Sequence, residues 1–140
     1  MRSIKLGFSC LALAITLTAC SGSPTEFQTT VELANAGPDC DADPKCWLPT
    51  QFQPSLVGGE SVSLFNEWPT KGDEVTVVCV TTGEKLVDYT GRESDKWYGI
   101  LVPDDKLSET GAESHPVKDG YLGYVSALWL AEKQATAPEC

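Results

Sequence analysis

Three sets of side chains in this sequence have the types and spacing to do chemistry. His115 is the only histidine and sits in Glu113-Ser-His-Pro116. A general base or a triad member needs a nucleophile and an orienting carboxylate beside it. The surrounding stretch from Pro103 to Gly120 reads as a solvated loop, so His115 is expected to be a surface side chain. Asp39-Cys-Asp-Ala-Asp43 places carboxylates at alternate positions, like the start of a calcium loop. Its sixth position is Pro44 where Gly is needed, and its twelfth is Thr50 where Glu is needed. A polar, cysteine-stapled loop is the simpler expectation. Asp104-Asp105 and Glu113 to Asp119 likewise read as solvated acidic segments. No catalytic residue, resident metal or cofactor is expected, and the chain does not read as an enzyme.

The aromatic residues form the third set. If Tyr98 and Ile100 face a core, a period of two sends Trp97, Gly99 and Leu101 to the opposite face. By the same alternation Tyr121 and Val125 lie opposite Leu122 and Tyr124. Trp68, Trp97, Tyr121 and Trp129 are therefore the candidate ligand-binding residues. The competing expectation is that they complete a small core, which aromatics dominate at this size.

The N-terminus of the chain that carries these residues reads as an address. Arg2 and Lys5 precede an apolar run from Leu6 to Leu17, and Leu17-Thr18-Ala19-Cys20 follows. The charged, apolar, small-residue order is that of a secretory signal. The run is too short to span a bilayer as a permanent helix. The last four residues resemble a bacterial lipobox, in which Cys20 receives a diacylglycerol and becomes the first residue after cleavage. Two acyl chains give stable anchoring where one does not. The expected location is the extracytoplasmic face of the bacterial cell membrane.

Removing residues 1–19 leaves 121 residues, with eight basic against 20 acidic side chains and a net charge of −12. That balance argues against nucleic acid, whose binding needs a surplus of Lys and Arg. It also argues against a basic membrane-surface helix. The chain is too short for a (β/α)8 barrel or a doubly wound sheet.

Six cysteines are encoded. Cys10 leaves with the signal and Cys20 carries lipid. Cys40, Cys46, Cys79 and Cys140 remain, an even number that suggests two disulfides with three possible connectivities. Their spacings do not resemble zinc knuckles.

Ser21 to Asp39 is rich in Ser, Thr, Gly, Pro and Ala and reads as a flexible linker. Residues 20–54 are assigned to the lipidated cysteine, this tether and a cysteine-stapled segment. Residues 55–140 are assigned to the folded domain. Within it, Glu60–Phe65, Glu74–Val80, Leu86–Thr90, Lys96–Val102 and Tyr121–Val125 read as short strands. Turns are expected at Gly72-Asp73 and at Thr81–Glu84, and a loop at Gly91–Asp95. Val75, Val77 and Cys79 form one in-phase face. The fold class is all-β, with about five short strands in a small barrel or sandwich.

The order of Gly72-Asp-Glu-Val-Thr-Val-Val-Cys79, Ser94-Asp-Lys-Trp-Tyr-Gly99, Gly120-Tyr-Leu-Gly-Tyr-Val-Ser126 and Leu128-Trp-Leu130 resembles a bacterial SH3-type domain of actinobacterial lipoproteins. The resemblance covers about Glu60 to Cys140. It implies a small SH3-like β-barrel. It also implies a Cys79–Cys140 disulfide closed by the Ala137-Pro-Glu-Cys140 tail, leaving Cys40 with Cys46. Asn66-Glu-Trp-Pro-Thr70 stands where the family has Arg-Ser-Gly-Pro, and the segment from Pro103 to Gly120 replaces a tight hairpin. In SH3-like barrels an aromatic-lined groove binds peptides, and acidic neighbours would favour a cationic ligand. The implied function is recognition of a cell-wall component such as a peptidoglycan stem peptide. The alternative is docking on an exported enzyme or transporter, for which the long segment would serve as the recognition element.

Overall fold

The computed structural model describes residues 26–32, 46–56, 63–131 and 136–140. The signal segment, Cys20, Cys40, the Asp39–Asp43 run and the start of the expected Glu60–Phe65 strand lie outside the described residues. Five antiparallel strands form one sheet: β1 (Phe27–Thr30), β2 (Glu74–Val87), β3 (Glu93–Pro103), β4 (His115–Val117) and β5 (Gly120–Ser126). Their spatial order is β1-β2-β3-β5-β4. The chain is all-β, and its only helical pieces among the described residues are short 3-10 turns.

β-Branched residues build β2, and alternation along Val75 and Val77 buries one face. That face meets Ile100, Val102 and Val125 from β3 and β5, together with Leu48 and Leu64 from the preceding segments. Gly123 lies opposite Ile100 in the ladder. A Cβ there would run into Thr50 and crowd Leu64, so the missing side chain lets the 48–51 and 63–65 segments close over the sheet.

After β5, the 3-10 turn Ala127–Trp129 carries the chain round to β1. Leu130 bridges Val31, Glu32 N–H donates to Trp129 O (3.0 Å) and Ala131 N–H to Thr30 O (2.8 Å). Both edges of β1 are therefore occupied, one by β2 and the other by this returning segment.

Several boundaries differ from the sequence reading. Ser21–Asp39 contains β1, which pairs with β2 through Phe27 to Thr30, so part of the expected tether is a strand. Polar Gln28, Thr29 and Thr30 hide the pattern, although Thr29 is buried and its hydroxyl donates to Ala131 O. The 46–56 segment also belongs to the fold: Gln51 and Tyr124 exchange both backbone hydrogen bonds. The expected turn at Thr81–Glu84 does not reverse the chain. β2 runs through it, and residues 83–85 bulge between the Thr82–Lys96 and Leu86–Ser94 pairs. The reversal falls at Asp88–Arg92, where Asp88 N–H donates to Arg92 O and Gly91 takes φ 88°. The long Pro103–Gly120 segment is structured by two 3-10 turns and by β4. Its last reversal is the two-residue Lys118-Asp119 turn, with Asp119 at φ 71°.

Candidate functional site

Two segments meet to place an aromatic pair at the surface. Trp47 bridges Thr70, and Leu48 N–H donates to Pro69 O (2.8 Å). This brings the Trp47 and Trp68 rings to 3.9 Å between centroids, tilted by 52°. Leu48 anchors one segment in the core, and Phe65 anchors the other. Trp68 remains 47% exposed.

A cleft of about 400 Å3 opens beside Trp68. Glu67, Asp73 and Glu74 bring three carboxylates to its wall, against the single ammonium of Lys106. One Asp73 oxygen is engaged by the turn before β2: Oδ2 accepts from Thr70 N–H (2.8 Å) and Thr70 Oγ1 (3.3 Å). Gly72, at φ 93°, gives that turn its shape. Exposed indole beside excess carboxylate is the chemistry of an organic-cation site, where ring face and negative charge attract the same ligand.

The other three aromatic candidates do not join this surface. Trp97 is 0% exposed, and its Nε1–H donates to Glu84 O (2.9 Å). Alternation does put it opposite Tyr98 and Ile100, but that side is covered locally. Glu84 N–H donates to Pro54 O, and the Glu84 carboxylate accepts from Ser55 Oγ and Leu56 N–H. Gly83 leaves the room in which Pro54 and the Trp97 ring meet. Trp129 is 3% exposed and sits edge-on to Trp97 at 6.3 Å. Its Nε1–H is buried without a hydrogen-bond partner. Tyr121 is half-buried and packs against the core from the far end of β5, opposite Val102 and Pro116. Trp97 and Trp129 are thus interior residues, and Trp68 alone of the four opens onto the acidic cleft. The Trp47 partner was missed because it lies in the cysteine-stapled segment, ahead of the expected 55–140 domain. Its only signal was the apolar Trp47-Leu48 pair in a polar stretch.

Cys79 and Cys140 form a disulfide, the pair implied by the SH3-type resemblance, with Cα atoms 4.8 Å apart. Cys79 does not share the Val75/Val77 face. Val78 is an extra residue between the Val77–Ile100 and Cys79–Gly99 pairs, so the phase flips and Cys79 turns to the outer face beside Gly99. Cys46 is also disulfide-bonded, to a partner outside the described residues. His115 is exposed on β4 rather than in a loop, and it lines a cleft with the Cys79–Cys140 disulfide, whose sulfurs carry no free thiol. Among the described residues no three His, Cys, Asp or Glu side chains cluster as a metal site would require.

Among the described residues, the turn between β2 and β3 carries the most perturbed carboxylate. Burial opposes the charge of Asp88, but hydrogen bonds from Thr90 and Arg92, through side chains and backbone, outweigh it and lower its pKa to about 2. This group shapes the turn and lies apart from the Trp68 cleft.

No family model matches the chain, and neither curated proteins nor solved structures give a match.

Proposed function

We propose that this protein is a lipid-anchored extracytoplasmic binding module of SH3-like type. In this reading Cys20 carries the anchor and the Trp68 cleft recognises an amine-bearing cell-wall component such as a peptidoglycan stem peptide. The observation that carries the reading is the exposed Trp68 ring, seated on Trp47 and walled by Glu67, Asp73 and Glu74. Free amines of stem peptides suit that surface, whereas polyanionic wall polymers would be repelled by it. The return of the chain from β5 through a 3-10 turn to β1 supports the SH3-like part of the reading.

The test is co-sedimentation of residues 21–140 with insoluble peptidoglycan at low and moderate salt. Wild-type protein should pellet, and a Trp68→Ala variant that still melts cooperatively should stay in solution. Absence of binding at both salts rejects the wall reading. Docking on an exported enzyme or transporter is the second reading. Its support is the ordered 104–117 segment, which presents exposed side chains on two 3-10 turns and β4.

A further inference from the structure

We propose that the Cys79–Cys140 disulfide is a thiol-exchange site, entered at Cys140 and selective for uncharged or cationic thiols. The bulge at Val78 turns Cys79 to the outer face of the sheet. There Gly99 leaves the space that both sulfurs fill; a Cβ at Gly99 would collide with Cys79 Sγ and press on Cys140 Sγ. Cys79 is only 7% exposed, whereas Cys140 is exposed. An attacking thiolate approaches one sulfur and displaces the other. Entry is therefore assigned to Cys140, the exposed residue of the pair, and the displaced sulfur is that of Cys79. The exchange balances as one thiol plus the disulfide giving a mixed disulfide on Cys140 and a free thiol on Cys79, which takes the incoming thiol's proton.

The surroundings set the selectivity. The disulfide lines a cleft of about 630 Å3 together with the ammonium of Lys118 and the carboxylates of Glu26, Asp119 and Glu139. Three carboxylates against one ammonium repel an anionic thiol and admit a neutral or cationic one.

Exchange also changes the sheet. Residues 138–140 run parallel to β2, held by Val80 N–H to Pro138 O (2.9 Å) and Cys140 N–H to Val80 O (3.0 Å). Without the covalent link, what holds residues 136–140 among the described residues is these two hydrogen bonds and the packing of the small Ala137 side chain, set against the conformational entropy of the segment. The segment leaves, and the edge of β2 at Val80 becomes free for another strand.

The experiment uses the full chain, purified in a nonionic detergent and kept free of denaturant. It is treated with cysteamine, 2-mercaptoethanol or 2-mercaptoethanesulfonate at equal thiolate concentration, quenched by alkylation and mapped by peptide mass. The adduct should appear on Cys140 and the alkyl group on Cys79. At low salt the sulfonate should react about tenfold more slowly than cysteamine, a gap that high salt closes. Amide exchange at Val80 should accelerate while Tyr98 and Val125 remain protected, and Cys140→Ser should show the same Val80 exchange untreated. No reaction without denaturant, an adduct on Cys79, or equal rates for the three thiols at low salt overturns the exchange site. A protected Val80 amide in both treated protein and variant overturns the release.

Discussion

Trp68 and Trp97 are the same residue type under opposite constraints, and their substitutions should separate cleanly. Trp68→Ala removes an exposed ring and should leave the denaturation midpoint nearly unchanged while abolishing sedimentation with the wall. Trp97→Ala empties a buried site and leaves Glu84 O without its donor. It should cost about 3–5 kcal/mol in urea unfolding. Asp88 gives a pH signature. Its folded pKa of about 2 lies below the ordinary 3.8, so its contribution is complete above the ordinary value and fades as pH falls from there towards 2. Acid unfolding of Asp88→Asn should lack that part of the fall, as read by urea titrations between pH 5 and 2. A parallel acid profile in the two proteins would assign the loss to other carboxylates. Trp68 and Trp97 could be named as candidates from the sequence because aromatic residues stand out. Their exposure could not, because it depends on whether residues distant in the chain cover them. Pro54 covers Trp97, whereas Trp68 meets Trp47 on one side and stays exposed on the other.

The β2–β3 ladder shows how one residue changes the role of its neighbours. Simple alternation puts Cys79 beside Val77. The extra residue at Val78 reverses it and sets the disulfide over Gly99 on the outer face. Gly99→Ala should therefore destabilise the fold by about 1–3 kcal/mol through overpacking against sulfur and against Leu122. In a Cys79→Ser/Cys140→Ser background part of that penalty should disappear. Thermal melts of the four proteins measure the difference as a coupling term, and a coupling of zero would remove the disulfide from the account. β2 itself was legible from its valines, and β3 and β5 from their aromatic and β-branched runs. The 83–85 irregularity was not, because Thr81-Thr-Gly-Glu84 has turn composition while Asp88 captures the reversal by accepting from the Thr90 and Arg92 N–H groups.

Across the whole molecule, the Cys79–Cys140 link joins residues 61 apart. Loop-closure entropy for that span corresponds to about 4 kcal/mol. Cys140→Ser should accordingly lower the melting temperature by roughly 15 °C, and an unchanged melt would show the link to be thermodynamically idle. Composition and pattern alone were sufficient to read an all-β domain, because β-branched alternation and short turns are local properties of the chain. The acidic balance and the candidate status of the tryptophans were equally open to reading, since they need only residue types. Recruitment of Phe27–Thr30 as β1, the meeting of Trp47 with Trp68, and the burial of Trp97 and Trp129 were decided only by the tertiary structure. Each depends on contacts between segments far apart in sequence. A strand with polar residues at its buried positions, such as Thr29 bonded to Ala131 O, becomes recognisable only when its partners are in place.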